Sequence, residues 1–279
     1  MQWHPLFAKM LRPVVQDHYE VETNLPVGDA PRSADIVLVR RTSDQPPPFQ
    51  SLLQHLTIWN ILEFKGRSVR ARIRDLDLLV ELGLGVDRRL NEERIRQKQR
   101  LLSETDVSFW YIVNHLGTRF LRQARERLGS IEQASPGVWR GQLLRRSLLL
   151  IDGRAVPVDR ESVALHLAGE ESQAIDEALA HVITEEPGYW ELYAPLLKAL
   201  HPNIWTEAMQ MAKSKGKRGD LDLSPLVEEV GLEKYLAVVK VGDYINTFGP
   251  KKVIKELGVE RIVANLSAEE RQKLKEMLK

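Results

Sequence analysis

The pattern of apolar and polar residues along the chain predicts an α/β protein. Apolar stripes at helical spacing alternate with short apolar runs rich in branched residues, which are typical of strands covered on both faces. In chain order, the predicted elements are a helix over 5–17, strands over 19–27, 34–39 and 56–64, a helix over 68–82, a strand over 107–113 and a helix over 118–128. This order favours helices packed on a mixed sheet.

Two local patterns lead to further expectations. Gly83 follows the apolar face of the 68–82 segment and is predicted to end that helix. Asp152-Gly153 lies between apolar runs over 147–151 and 155–158, which predicts a tight hairpin.

The pattern becomes helical beyond residue 160. Apolar helical faces recur over 171–183, 189–200 and 204–212. A basic segment broken by glycine, residues 213–219, follows and is interpreted as a linker. The expected domains are residues 1–158, a helical extension over 159–212 and a C-terminal region of short helices over 223–279.

The C-terminal region carries apolar residues on short segments punctuated by glycine, among them Leu236, Ile254 and Ile262. A row of such short helices cannot bury these side chains within itself. Either the first domain covers them or a second copy of the chain does. Because the linker gives this region freedom to leave its own domain, we expect a homodimer formed through the C-terminal helices.

Composition narrows the class of protein. The chain has 279 residues, of which 43% are hydrophobic and 28% charged, and this excludes a chain that is disordered throughout. It has no cysteine, so any metal would be held by oxygen or imidazole ligands. No apolar run reaches the ~18 residues that a membrane-spanning helix needs, and the N-terminus lacks a secretory signal pattern. We therefore expect a cytoplasmic protein with no membrane partner.

Positive charge is concentrated in one segment although the net charge of the chain is only +1. Residues 65–100 contain eleven basic and six acidic side chains, and nearly all of the basic ones are arginine. Arginine suits phosphate oxygens, so a polyanion is a candidate partner. The alternative is a solvated helix face with ion pairs along it.

Three charged residues stand on otherwise apolar predicted strands. Asp35 is the only charge in 34–39, and Glu63 and Lys65, two residues apart, point to the same face at the end of the next strand. Adjacent strands would bring the two carboxylates together, where pairing or a metal offsets the cost of burial. With the carbonyl of Phe64 they form a hard oxygen site suited to Mg²⁺ or Mn²⁺, and Lys65 would orient water or neutralise developing charge. The alternative is an exposed ion pair between Glu63 and Lys65.

The residues around these charges resemble a known family. Ala-Asp-Ile-Val-Leu-Val around Asp35 and Ile-Leu-Glu-Phe-Lys-Gly around Glu63 and Lys65 are similar to the core of the PD-(D/E)XK nuclease superfamily. They resemble in particular its recombination-promoting nuclease and transposase-associated branch. The resemblance covers residues 4–120, and the C-terminal region is also similar to tails of that branch.

This resemblance implies a restriction-endonuclease-like αβββαβ core and a metal-dependent DNA endonuclease linked to recombination or mobile elements. Asp35 and Glu63 would be the metal ligands and Lys65 the catalytic lysine. The superfamily often adds an acid on the first helix, which this chain lacks, so His4, Glu20 and Glu22 are the candidates to replace it. The alternative is a nuclease-fold protein without catalysis that serves as a DNA-binding or assembly module.

The remaining candidates are arginines and histidines near the predicted site. Arg67, Arg70 and Arg74 recur every three or four residues and are expected to follow a DNA backbone from the side of Lys65, with a solvated helix face as the alternative. His115 lies beside a predicted strand and is interpreted as a packing residue rather than a base.

Overall fold

The computed structural model describes residues 4–26, 33–41, 47–66, 69–169 and 172–216. These residues divide into two compact units, 4–169 and 172–216. The first unit contains α1 (His4–Val15), β1 (Tyr19–Pro26), β2 (Ser33–Arg40), β3 (Trp59–Phe64), α2 (Ile73–Arg96), β4 (Val107–Val113), α3 (Thr118–Leu128), β5 (Glu132–Ser135), β6 (Val138–Leu143), β7 (Arg146–Asp152) and α4 (Val163–Ala168). The second contains α5 (Gln173–Glu185), α6 (Tyr189–Leu200) and α7 (Trp205–Ser214). The predicted domain boundaries stay predictions.

One mixed sheet forms the centre of the first unit. Its seven strands lie in the order β1-β2-β3-β4-β7-β6-β5. The β3-β4 and β4-β7 pairs are parallel and the other pairs are antiparallel. The prediction of an α/β protein with a mixed sheet and a helical region after it is therefore confirmed.

The parallel strands define the edge of the sheet at which the candidate site lies. β3, β4 and β7 end at Phe64, Val113 and Asp152, and because they run in the same direction these ends share one edge. β2 runs antiparallel to β3 and begins at that edge. In sheets of this kind, ligands commonly bind beyond the carboxyl ends of parallel strands.

Helices cover both faces of the sheet. β4 is buried along its whole length, as its uninterrupted apolar sequence predicts. On one face, Leu76 and Leu79 of α2 pack with Phe109 of β4 in a buried cluster. On the other face, Phe7 of α1 stacks on Phe64 with ring centroids 4.4 Å apart. Both faces of the parallel strands are thus covered, and the residues at their ends, Phe64, Val113 and Asp152, are buried as well. Exposed side chains begin with the residues that follow, such as His115, which is 59% exposed.

The prediction that Gly83 ends a helix is wrong. α2 begins at Ile73, later than predicted, and continues through Gly83 to Arg96. A Cβ atom on Gly83 would lie 2.0 Å from Cε1 of Phe109. The glycine is therefore required by the close approach of the helix to β4 and not by a change in backbone direction.

The predicted hairpin at Asp152-Gly153 is also wrong. β7 pairs with the preceding β6 through Leu144 and Arg145, whose φ angles are 49° and 65°, and residues 155–158 form no strand. Positive φ at both central residues is typical of a type I′ hairpin turn, usually made by Asn-Gly. Leu-Arg gives no such signal in the sequence.

Several predicted elements are confirmed closely. The strand over 107–113 and the helices over 118–128 and 189–200 have the predicted bounds. Among the described residues, no helix is both long enough and apolar enough to cross a membrane. The C-terminal region predicted to dimerise lies outside the described residues.

Candidate active site

The carboxyl groups of Asp35 and Glu63 lie together at the edge where β3 ends. β2 and β3 are neighbours and Ile36 pairs with Leu62, so the same register one residue further sets Asp35 opposite Glu63. Their side chains are close enough that the negative charge of Glu63 raises the pKa of Asp35. The structure therefore brings together the two carboxylates that the sequence picks out as lone charges on apolar strands.

Lys65 completes this group from the residue that follows β3. Its backbone N–H donates to the carbonyl of Ile112 at 2.9 Å, which extends the strand pairing past Phe64. Its Nζ lies 2.5 Å from Oε1 of Glu63, and the two side chains are only 20% and 13% exposed. The ion pair that the alternative interpretation expects is thus present, but it is not exposed, because both side chains are largely withdrawn from solvent.

The surroundings of Asp35 disfavour its ionised form. Burial and the negative charge of Glu63 raise the pKa of Asp35 to about 7, although Lys65 and the backbone N–H of Phe64 act in the opposite direction. Two carboxylates that share one site repel each other, and a bound cation relieves that repulsion.

The charge on Lys65 is held by its acidic neighbours. Burial alone would lower the pKa of Lys65, but the hydrogen bond and charge of Glu63, with the charges of Asp75 and Asp35, raise it above its ordinary value. Lys65 is therefore a fixed cation beside the carboxyl pair and is not suited to act as a base near neutral pH.

A second buried pair, Tyr111 and Asp75, lies beside this group and was missed from the sequence. Tyr111 is the partner of Glu63 across the parallel β3-β4 pair. Its hydroxyl donates to Oδ2 of Asp75 at 2.7 Å, and the backbone N–H of Arg72 donates to that hydroxyl at 3.4 Å. Burial is the main cause that raises the pKa of Tyr111, and the hydrogen bond and charge of Asp75 raise it further. The sequence indicates this pair only through Asp75 in the first turn of α2. An acid in that position is equally typical of any helix start.

His4 is the first-helix residue that reaches Asp35. Its Nδ1 lies 3.5 Å from Oδ1 of Asp35 and its Nε2 lies 3.0 Å from Oδ1 of Asn24, with the ring 7% exposed. The exposed Glu20 lies 3.9 Å from Arg41. The charges acting on Glu22 are those of Glu20, Arg89 and Glu93. Of the three residues considered to replace the first-helix acid, the structure thus brings His4 to Asp35.

The predicted arginines take different positions. Arg67 lies outside the described residues. Because α2 begins at Ile73, Arg70 lies on the loop before the helix and Arg74 in its first turn, so the expected helical spacing between them is wrong. Both side chains are exposed. Arg70 lines a cavity of 780 Å³, whereas Arg74 does not.

The donor set can be compared with the requirements of Mg²⁺ or Mn²⁺. Among the described residues, no three side chains of His, Cys, Asp or Glu are grouped so as to hold a metal. The site offers two carboxyl groups, and the backbone of Phe64 lies against Asp35. These hard oxygen donors, with a carboxyl pair that repels itself, fit such a cation. The carbonyl of Phe64 as a third ligand stays a prediction.

Comparison with models of protein families, with curated proteins and with solved structures finds no match to this chain.

Proposed function

We propose that the chain is a metal-dependent DNA endonuclease with a restriction-endonuclease-like core, hydrolysing phosphodiester bonds at the Asp35–Glu63 pair. The order helix, strand, strand, strand, helix, strand supports the proposed αβββαβ core. The first three strands pair antiparallel and the fourth joins the third in parallel after α2. The family resemblance implies this order of elements on a mixed sheet.

The observation that carries the proposal is the meeting of Asp35, Glu63 and Lys65 at one sheet edge. Two carboxyl groups stand opposite each other on neighbouring strands there, and an ammonium group is fixed to one of them at 2.5 Å. A structural ion pair needs one carboxylate and one cation. The second, largely buried carboxyl group interacts favourably with Lys65, but burial and the charge of Glu63 outweigh this and disfavour its ionised form. A role in binding a cation explains why both are present.

The residues of the chain would divide the work as follows. Asp35 and Glu63 would hold the cation, and Lys65 would place a positive charge beside the phosphate oxygens of the substrate. Glu63 would also hold the Lys65 ammonium in position, so that little reorganisation is needed during reaction. A bound Mg²⁺ or Mn²⁺ stabilises charge on a phosphoryl oxygen and lowers the pKa of water.

A plasmid-nicking assay tests this function. We expect conversion of supercoiled DNA to the nicked form in Mg²⁺ or Mn²⁺, none in excess chelator, and a loss of about 100-fold or more in Glu63→Gln. Glu132→Gln, which neutralises an exposed acid on β5, is the matched control and should nick as the parent does. Full activity in chelator, or an active Glu63→Gln, would contradict the proposal. DNA binding by parent and variant with nicking by neither would favour the alternative, a binding or assembly module.

A further inference from the structure

A cavity of 780 Å³ lies at the same sheet edge as the carboxyl pair. The loops after β3, β4 and β7 line it, with the first turn of α3. Its polar wall includes Arg70, Arg72, Arg119, Arg154, His115 and Asn114. Within the part of the chain that the structure describes, no carboxylate lines this cavity, and no ion pair involves Arg70, Arg72 or Arg119. The cavity therefore favours an anionic ligand.

A buried carboxylate behind the wall orients part of this lining. Asp152, 3% exposed, accepts hydrogen bonds from Nδ1 of His115 at 3.0 Å and from the backbone N–H of Leu116 at 2.9 Å. Its other oxygen accepts the backbone N–H of Arg154 at 3.1 Å. Because Nδ1 is engaged, Nε2 is the ring nitrogen that His115 offers to a ligand. The side chain of His115 is 59% exposed.

The cavity adjoins the carboxyl pair. Lys65 follows β3 and Asn114 follows β4, and these strands are neighbours in the sheet. Neighbouring strands lie about 4.8 Å apart, so the cavity wall begins roughly one strand spacing from Lys65. Asn114 also lines, together with Lys65, a smaller pocket at this edge. A ligand in the cavity would thus be next to a bond held at Asp35 and Glu63.

The size of the cavity indicates the form of that ligand. Cavities of roughly 300–1,000 Å³ enclose one small-molecule-sized unit, and a nucleotide is of this size. Its arginines suit phosphate oxygens, while the apolar wall at Ile73 and Phe120 suits a sugar or base. In a duplex, each nucleotide is held in its base pair behind a convex backbone. A paired nucleotide therefore cannot enter a cavity that has room for one nucleotide only.

We propose that this cavity binds an unpaired nucleotide adjacent to the bond cleaved, with Arg72, Arg119, Arg154 and His115 facing its phosphates. The substrate class is then DNA with a single-stranded segment. The inference rests on the proposed nuclease function for the identity of the anion as DNA.

Fluorescence anisotropy in excess chelator measures this binding without cleavage. The probes are a short fluorescein-labelled single strand and the duplex of the same sequence. The test variant is Arg72→Ala with Arg119→Ala, and the control is Arg122→Ala with Arg125→Ala, which also removes two exposed arginines but not from the cavity wall. We expect the test variant to lose about tenfold in affinity for the single strand, with a salt dependence shallower by about 0.7 per lost phosphate contact.

Three results of the binding assay would overturn the inference. They are an equal loss in the test and control variants, a loss for duplex as large as for the single strand, and a test variant that binds as the parent does. Arg119→Glu provides a second test, since a reversed charge in the cavity should weaken binding more than Arg119→Ala. Thermal unfolding shows that each variant is folded. Metal-dependent nicking that continues unchanged in the test variant would refute the cavity site alone, whereas cavity-dependent binding without any nicking would refute the nuclease function alone.

Discussion

Asp35 offers a direct test of the electrostatics of the carboxyl pair. Asp35→Asn keeps the shape of the side chain and removes its charge. The pKa of Asp35 is about 7 in the folded chain against an ordinary 3.8, so the folded state holds the proton more tightly than the unfolded state. Its contribution to stability is fully present below pH 4 and is lost as the pH rises through 7. We therefore predict that Asp35→Asn stabilises the metal-free protein at pH 8.

The magnitude follows from the same pKa values. A difference between 3.8 and about 7 corresponds to roughly 4 kcal/mol at 1.4 kcal/mol per pH unit. The side chain of Asp35 is 23% exposed, so solvent screens part of this energy, and the asparagine loses the charge interaction with Lys65. We expect a net gain of about 2 kcal/mol at pH 8 and a smaller gain at pH 5.

Urea unfolding in chelator at pH 5 and pH 8 measures both values. Asp87→Asn is the contrasting variant, because Asp87 is ion-paired with Arg146 and both side chains are largely buried. Removing one member of that pair should destabilise the protein by about 3 kcal/mol. Added Mg²⁺ should stabilise the parent and not Asp35→Asn, since a ligand stabilises only the state that binds it. An Asp35→Asn protein less stable than the parent at pH 8, or a difference independent of pH, would refute the reasoning.

Three further variants test the chemistry and the fold. Lys65→Ala should keep the fold and lose about 100-fold or more in plasmid nicking, because in the proposed reaction the ammonium would act on developing charge. Gly83→Ala should lower the free energy of unfolding in urea by about 2 kcal/mol, since its Cβ would overlap Phe109. Leu144→Asn with Arg145→Gly should raise that free energy by about 0.5–1 kcal/mol, because the new residues accept positive φ more readily.

A different result would contradict each of these three predictions. A Lys65→Ala protein as active as the parent would remove the lysine from the mechanism. Gly117→Ala is the control for Gly83→Ala, because an added Cβ there meets nothing within 4 Å. Equal effects at both glycines would contradict the packing explanation. A loss of stability in the turn variant would show that the Leu-Arg pair is not a type I′ turn.

The sequence predicts elements well where the local pattern and the tertiary contacts agree. β4 is a nearly unbroken apolar run, and α3 ends at Leu128 and is followed by Gly129, whose φ of 82° is the reason for the glycine. The prediction that Gly83 ends a helix is wrong because the glycine is needed for packing against Phe109, which is 26 residues further along the chain. The Leu144-Arg145 turn was not predicted because the strands on either side impose a backbone conformation that those residue types do not indicate.

In the candidate site, too, the sequence predicts what a local pattern shows and misses what depends on residues distant in the chain. Asp35 and Glu63 were found because a charge on an apolar strand is conspicuous in the sequence. The pairing of His115 with Asp152 could not be found in this way, because the two residues are 37 positions apart. The parallel pairing of β4 with β7 brings them together, and Asp152 was instead taken as part of a turn.

The two halves of this sheet edge have opposite electrostatic requirements. An added cation would relieve the repulsion between Asp35 and Glu63, and an added anion would offset the positive charge of the cavity lined by Arg72 and Arg119. A cation alone would satisfy the first half, and a free anion alone would satisfy the second. In the proposed function, a DNA strand with its divalent cation would satisfy both, because its phosphates would lie in the cavity and at the cation in succession. Binding of the strand and of the cation should then favour each other, and the reciprocal gain in affinity is measurable by titrating Ca²⁺ with and without the single strand. Independent affinities would mean that the cavity and the carboxyl pair serve separate ligands.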